Sequence, residues 1–211
     1  MTKRQILTAT TNPGKIAEIK SMLDDNIEWV CLSDFPKINE IKEDGKTFAE
    51  NARKKAVGYA KATGLWTLAD DSGLVIDALG GEPGVKSARF SGAKDKNRTL
   101  LDHKNMAKVL QLLDGVPKTK RTARFVCCLC LASPDKVLIE TQGTLEGLIN
   151  EKEIGTNGFG YDPIFLVPHL NNTVAQLAAE EKNAISHRGN AIRKLKPLLE
   201  QLLKTHFSTL P

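Results

Sequence analysis

A mixed α/β fold is predicted by two features of the sequence. Strand and helix patterns alternate along the chain, beginning with the apolar segment 5–10 and a helix with apolar residues recurring on one face. The segments 123–132 and 137–145 are joined by the turn Ser133–Lys136, which is typical of an antiparallel pair. A mixed sheet is therefore expected rather than a purely parallel one.

Capping residues place the clearest helix. Thr47 and Glu50 form a capping-box pattern, and Gly64 is a typical C-terminal stop, so a helix is expected between them. The other expected elements, in chain order, are a helix after the first strand, a strand at 27–32, a loop at 38–46, a strand at 65–69 ending at Asp70, a helix at 100–113, an extended stretch at 159–167, a helix opening at Thr173 and a last helix at 191–203.

Composition indicates an ordinary globular protein. The chain has 211 residues, with 41% hydrophobic and 26% charged residues, and we expect one domain over residues 1–211. It has no apolar run of 18 residues and no apolar stretch behind its basic N-terminus, so neither a membrane span nor a secretory signal is expected. The net charge of +5 favours anionic partners.

The cysteines indicate a reducing compartment. Cys127, Cys128 and Cys130 lie in one apolar run, where they read as small buried hydrophobes. Their spacing does not match a zinc site. Because free buried thiols suit a reducing environment, we expect a cytoplasmic protein.

Two segments carry the strongest signs of chemistry. Thr10–Lys15 lies between a strand and a helix, where backbone N–H groups and the helix dipole favour an anion, although an ordinary turn explains the same pattern. Asp70 and Asp71 follow an apolar strand, and adjacent carboxylates favour a nearby cation such as Mg²⁺ or a basic side chain, with a solvated Asx turn as the alternative. Glu43 or Asp44 could complete a metal site, and solvated acids are the alternative.

Two later segments could contact a flat ligand. The run Gly155–Pro163 combines three glycines with Phe159 and Tyr161, which could stack on a base or form a core-facing turn. His187 and Arg188 offer hydrogen-bond donors suited to a base edge, with a structural role as the alternative.

Taken together and in this order, six segments resemble the inosine triphosphate pyrophosphatase family. They are Thr10–Lys15, Glu43–Ala52, Leu68–Leu74, Pro83–Gly92, Gly158–Phe165 and Glu181–Gly189. Thr11 stands where glycine is common in that family. The resemblance implies an elongated, two-lobed α/β fold with a long mixed sheet and a nucleotide cleft between the lobes. It also implies a homodimer that needs Mg²⁺ and hydrolyses ITP, dITP and XTP to monophosphate and pyrophosphate, which cleanses the nucleotide pool.

The resemblance also implies roles for individual residues. Asp71 would be the catalytic carboxylate, acting on water or through Mg²⁺, with Glu43 as the second metal-side carboxylate and Asp70 as support. Ser72 would contact the nucleotide, and Lys182, His187 and Arg188 would read the purine. The triphosphate would be held by Thr10, Thr11, Asn12, Pro13, Gly14 and Lys15. The base and sugar pocket would be formed by Phe159, Gly160, Tyr161 and Asp162.

Two other functions compete with this one. The first is a nucleotide hydrolase with another base preference, such as modified pyrimidines, which a substrate panel separates. The second is a nucleic-acid-binding module using a basic patch of Lys118, Lys120, Arg121 and Arg124, which we rank below the enzyme. We therefore expect a purine nucleotide as substrate and neither a nucleic acid nor a membrane as partner.

Overall fold

The computed structural model describes residues 4–23, 27–95 and 97–207. The strands are β1 (Arg4–Thr8), β2 (Ile27–Cys31), β3 (Trp66–Ile76), β4 (Thr122–Ala132), β5 (Val137–Ile149), β6 (Phe165–Val167) and β7 (Asn172–Thr173). The α-helices are α1 (Pro13–Met22), α2 (Phe48–Thr63), α3 (Arg98–Leu112), α4 (Ala179–Ile185) and α5 (His187–Phe207). None of the helices in the described ranges combines the length and apolarity that crossing a membrane requires.

The strands form a mixed sheet in the order β2-β1-β3-β4-β5-β6-β7. β1 is parallel to both β2 and β3, whereas β6 is antiparallel to its neighbours β5 and β7. β4 and β5 are joined by the predicted turn, in which the Ser133 amide donates to the Lys136 carbonyl over 2.9 Å. The predicted mixed α/β class is confirmed.

The chain divides into two compact units. The first comprises residues 1–71, 127–143 and 187–211, and the second comprises residues 72–126 and 144–186. Each has its own apolar core, which includes Leu68 and Leu129 in the first unit and Leu74 and Phe165 in the second. The expectation of one domain over the whole chain stays a prediction.

The Thr47 cap is confirmed, with one change in its partner. The Thr47 hydroxyl accepts a hydrogen bond from the Glu50 amide over 3.1 Å, and α2 ends at Gly64, whose φ is 73°. The Glu50 carboxylate, however, accepts from the Lys46 amide over 2.6 Å rather than from the amide of Thr47. The side chain therefore reaches back one residue further than a capping box requires.

The sequence predicted that β3 ends at the acidic pair, but the strand does not end there. It continues through Asp70 and Asp71 to Ile76. Adjacent carboxylates are costly to bury because they repel each other. Basic side chains distant in sequence offset that cost here, because Lys15 and Arg188 both bond to Asp70.

Three further boundaries differ from expectation near the C-terminus. The capping pattern at Thr173 is present, but it caps a three-residue 3-10 helix, and α4 begins at Ala179. Only 165–167 of the stretch predicted as extended is a strand, because a 3-10 helix occupies 162–164. α5 begins at His187 rather than near Ala191 and extends past Pro197.

Candidate active site

The turn between β1 and α1 is organised by the Asn12 side chain. Its Oδ1 accepts hydrogen bonds from the amides of Gly14 (2.9 Å) and Lys15 (3.3 Å), so Asn12 is the N-cap of α1. The Thr10 hydroxyl in turn accepts from the Asn12 amide over 3.2 Å, and Pro13 occupies the first helical turn. Two amides that the sequence offered to an anion are thus already bonded, and the cationic group of this segment is the Lys15 ammonium.

Asp70 is a buried carboxylate surrounded by donors. The Lys15 ammonium bonds to its Oδ1, and Arg188 Nε donates to its Oδ2 over 2.8 Å. The Cys127 thiol also lies 3.2 Å from Oδ2. Burial alone would raise the pKa of Asp70, but Arg188 and Lys15 outweigh it and hold that pKa well below its usual range. Asp70 therefore stays ionised, with its charge committed to the protein.

The Arg188 guanidinium extends this chain of charges. Its Nη1 bonds to the Glu18 carboxylate, while its Nε bonds to Asp70. The side chain is only 1% exposed. A buried arginine needs such partners, because an unpaired charge away from water is very costly.

Asp71, the residue after Asp70, is not surrounded by hydrogen-bond donors as Asp70 is. Lys55 Nζ lies 3.4 Å from its Oδ1, and within the described ranges its buried Oδ2 has no hydrogen-bond partner. Burial, the largest effect, raises the pKa of Asp71 to about 6; Lys55 and Lys15 oppose the rise, while Glu43 and Asp70 add to it. Asp71 can therefore take up or release a proton near neutral pH and has an oxygen available to a ligand.

Lys55 joins three acidic residues. Its ammonium donates to the Asp70 carbonyl over 2.7 Å and lies 3.2 Å from Glu43 Oε1 as well as near Asp71. Burial alone would lower the pKa of Lys55, but these acids outweigh it and raise that pKa, so the side chain is a cation. Lys55 is not among the residues predicted from the sequence, although its place on α2, beside the inward-facing Ala52 and Ala56, could have indicated it.

Glu43 and Asp44 point to different partners. Glu43 lies against Lys55, whereas Asp44 bonds to the exposed Lys54 and Lys42. The loop that carries both acids is tied to α2, because the Gly45 amide donates to Asn51 Oδ1 over 2.8 Å. The structure thus brings Glu43, and not Asp44, into the cluster of Asp71 and Lys55.

The donor set fits a hard divalent cation. Asp71 offers an unpartnered carboxylate oxygen, and Glu43 shares a lysine with it. Over the described residues, no group of three or more His, Cys, Asp or Glu side chains could hold a metal alone. Two carboxylates with remaining positions left to water and phosphate oxygens are typical of Mg²⁺ rather than of a structural metal.

The glycine-rich loop of the second unit is held from several sides. Asp162 Oδ2 accepts from the Phe159 amide over 2.9 Å and from Lys182 Nζ over 2.6 Å. The Lys182 ammonium also lies 4.3 Å from the centroid of the Phe159 ring. The Tyr161 hydroxyl donates to the Ser87 carbonyl over 2.7 Å, and burial raises the pKa of Tyr161. Phe159 is half-buried, so its ring is more accessible than that of Tyr161.

The predicted residues are divided between the two units. The segment 10–15, Glu43, Asp71, His187 and Arg188 belong to the first unit. The second unit contains Ser72, Lys182, and the loop residues Phe159, Gly160, Tyr161 and Asp162. His187 is buried at the start of α5. Arg188, expected to read the purine together with Lys182 and His187, bonds to Asp70 and Glu18 in its own unit.

The chain matches one protein family over most of its length. The model of the Ham1 family matches residues 6–198. A dITP/XTP pyrophosphatase from Shouchella clausii is 50% identical over 196 residues, covering 93% of this chain and 96% of that protein. A dITP/XTP pyrophosphatase from Listeria monocytogenes is 47% identical over 201 residues, covering 95% of this chain and 97% of that protein.

Solved structures are similar over nearly the whole chain as well. A HAM1 protein from Coxiella burnetii has a TM-score of 0.83 and 42% identity, covering 94% of this chain and 99% of that one. The Ham1 protein of Staphylococcus aureus has a TM-score of 0.82 and 41% identity, with the same coverage. The relationship expected from the six sequence motifs is confirmed.

Proposed function

Because the chain belongs to the Ham1 family, we propose that it is a nucleoside triphosphate pyrophosphatase. Its substrates are deaminated purine nucleotides, namely ITP, dITP and XTP, and its products are the monophosphate and pyrophosphate. This reaction removes non-standard purine nucleotides from the pool. The observation that carries the proposal is the carboxylate of Asp71, which has a pKa of about 6 and an unpartnered oxygen beside Glu43 and Lys55 within the described ranges.

Asp71 is the catalytic carboxylate of the proposal. A water molecule attacks phosphorus, its proton passes to Asp71, and pyrophosphate leaves as the phosphoanhydride bond breaks. Without bound metal the pKa of Asp71 is about 6, so the group is mostly ionised at neutral pH, as a proton acceptor must be. Lys55 keeps Asp71 and Glu43 together despite their like charges.

Asp71 and Glu43 would hold Mg²⁺. The bound ion would neutralise charge on the triphosphate and acidify the attacking water. Asp70 supports the site without binding metal, since its oxygens are engaged by Lys15, Arg188 and Cys127.

The segment 10–15 would bind the triphosphate. Because Asn12 already occupies the amides of Gly14 and Lys15, we assign the phosphate contacts to the side chains of Thr10, Thr11 and Lys15. The Lys15 ammonium bonds to Asp70. Phosphate oxygens would compete with Asp70 for this ammonium.

In the second unit, purine recognition is assigned to the loop and Ser72; His187, in the first unit, is assigned a nucleotide contact of its own. Phe159 presents a half-buried ring for stacking, and Lys182 is a cationic donor held at its face. A donor facing position 6 of the purine pairs with a keto oxygen and leaves the amino group of adenine unpaired.

The bonds of Arg188 favour a role in fixing Asp70, which predicts that Arg188→Ala weakens ITP and ATP turnover equally. A larger loss of turnover for ITP than for ATP would indicate that Arg188 contacts the base.

The proposal also includes a homodimer, from the family resemblance, and a cytoplasmic location, from the four free cysteines. Light scattering of the purified protein tests the dimer. A monomer mass at micromolar concentration would remove that part of the proposal without touching the reaction.

Two of the four cations in the nucleic-acid-binding alternative already have partners within the protein. Arg121 is buried and donates to backbone carbonyls at the end of α3. Arg124 pairs with Asp77 and Glu146. A phosphate patch needs accessible charge, so these contacts disfavour that function.

A substrate panel tests the proposal. Pyrophosphate release is measured from ITP, dITP, XTP, dGTP, dATP, dTTP and a modified pyrimidine triphosphate, with Mg²⁺ and with chelator. The enzymes are wild type, Asp71→Asn and the matched exposed control Asp135→Asn. The proposal predicts Mg²⁺-dependent turnover of the first three nucleotides, lost in Asp71→Asn and retained in the control. Preferential turnover of the pyrimidine would support the other hydrolase, and no turnover at all would refute both.

A further inference from the structure

The loop from Gly158 to Asp162 contains two glycines whose backbone conformation needs support from hydrogen bonds. Gly158 and Gly160 both have positive φ values, 76° and 65°, which glycine adopts without strain. Within the described residues, and apart from Gly160 and its two chain neighbours, no heavy atom lies within 4 Å of the position that a Cβ on Gly160 would occupy. The contact that the structure shows for Gly160 is a hydrogen bond from its amide.

Asp102 supplies that hydrogen bond from another element. The Gly160 amide donates to Asp102 Oδ2 over 2.9 Å, and the two residues are 58 positions apart in the chain. Asp102 lies on α3, one turn after Arg98, and is 8% exposed. A hydrogen bond from an amide to a buried carboxylate is stronger than one between neutral groups.

The Gly160 amide lies in the peptide unit next to the residue that carries the Phe159 ring. The Gly160 N–H belongs to the peptide plane that joins Phe159 to Gly160, so anchoring it restricts ψ of Phe159 and φ of Gly160. On the other side of Phe159, its own amide donates to Asp162. The two bonds together fix the backbone on both sides of the residue whose ring is most accessible in this loop.

We propose that Asp102 is a positioning residue for purine recognition, which holds the Gly160 amide so that Phe159 and Asp162 keep the orientation that binds the base. This inference rests on the proposed function, because that function gives the loop its base. Asp102 does not touch the nucleotide and acts through Gly160. Its role is to keep the loop in its binding shape before the ligand arrives.

Arg98 separates this role from a general effect on α3. Its Nε lies 3.1 Å from Asp102 Oδ1, the oxygen that the Gly160 amide does not use, and its side chain is 49% exposed. An exposed ion pair at this spacing contributes little. Arg98→Ala therefore removes a partner of Asp102 and leaves the Gly160 bond in place.

The test compares wild type, Asp102→Ala, Asp102→Asn and Arg98→Ala. Hydrogen exchange of the Gly160 amide is measured by NMR on the free protein, and IMP affinity by calorimetry. Steady-state kinetics follow with ITP and dGTP.

Asp102→Ala should raise Gly160 exchange and weaken IMP binding by about 10-fold, within the range for one charge-assisted hydrogen bond. The loss for ITP should lie mainly in KM, and the preference for ITP over dGTP should narrow. Asp102→Asn keeps an acceptor and should recover part of each effect, whereas Arg98→Ala should resemble wild type.

The outcomes separate the inference from the proposed function. Unchanged Gly160 exchange in Asp102→Ala would overturn the inference. So would equal losses with ITP and dGTP that lie in kcat, or an Arg98→Ala variant with the same defects. Exchange and IMP affinity need no turnover, so a protein that fails to hydrolyse ITP but shows both effects would refute the reaction and support the role of Asp102.

Discussion

Replacing Asp71 with Asn is expected to stabilise the protein at neutral pH while it abolishes activity. The Asp71 side chain is 9% exposed, and burial raises its pKa to about 6 from the ordinary 3.8. Between these two values the folded protein binds more protons than the unfolded chain. Its stability therefore falls as the pH rises through this window and stays lower above it. Asn carries no charge and does not incur this loss.

The size of the effect follows from the same pKa. The rise from 3.8 to about 6 corresponds to roughly 3 kcal/mol at about 1.4 kcal/mol per pH unit. The attraction of Lys55 and Lys15 for Asp71 is already contained in that pKa. For a chain of this size, ~1 kcal/mol shifts Tm by roughly 2–4 °C. The variant should thus melt several degrees above wild type at neutral pH, up to about 6–12 °C.

Thermal unfolding followed by circular dichroism tests this reasoning. It is measured at pH 7.5 and pH 4.5 without divalent metal for wild type, Asp71→Asn and the exposed control Asp135→Asn. The advantage of Asp71→Asn should be clear at pH 7.5 and smaller at pH 4.5, and the control should show neither. An Asp71→Asn variant less stable than wild type at pH 7.5, or an advantage independent of pH, would refute the account of Asp71.

Three further substitutions have expected outcomes of different kinds. Asp70→Asn should destabilise by about 3–5 kcal/mol in urea unfolding, because it removes the buried carboxylate charge to which Arg188 and Lys15 bond; a stabilised variant would contradict this. Tyr161→Phe removes the hydrogen bond to the Ser87 carbonyl and should cost about 0.5–1.5 kcal/mol by the same method, so an unchanged midpoint would argue against that bond. Gly143→Ala places a Cβ 2.2 Å from the His187 carbonyl oxygen, so ITP kinetics should show a large loss of kcat/KM, and normal turnover would show that the start of α5 moves freely.

Local patterns predicted the elements whose boundaries are set locally. The Thr47 cap, the Gly64 stop and the Ser133–Lys136 turn depend on residues within a few positions of each other. The burial of Cys127, Cys128 and Cys130 followed from their apolar surroundings and is confirmed. Each of these features can be read from one short window of sequence.

The environment of the acidic pair could not be predicted in this way. Asp70 bonds to Lys15, 55 positions away, and to Arg188, 118 positions away. These contacts let β3 continue through the pair and hold the pKa of Asp70 low, whereas burial raises the pKa of Asp71. The sequence showed two acids at the end of a strand, but only the folded chain distinguishes the paired one from the reactive one.

Supporting residues were missed for the same reason. Lys55 and Asp102 are ordinary charged residues on amphipathic helices, where a solvated position is the usual expectation. Their partners, Glu43 with Asp71 and the Gly160 amide, lie on other elements. Motif-bearing residues were found through their order along the chain, whereas residues that hold the motifs in place carried no such signal.

The central claim is hydrolysis between the α and β phosphates with Asp71 as the catalytic carboxylate. Phosphorus NMR of ITP incubated with Mg²⁺ and enzyme tests it most directly, because it identifies the products as well as the rate. Wild type should give IMP and pyrophosphate in equal amounts, and Asp71→Asn, although folded and more stable, should give neither. IDP with orthophosphate, or IMP formation at an undiminished rate by Asp71→Asn, would contradict the claim.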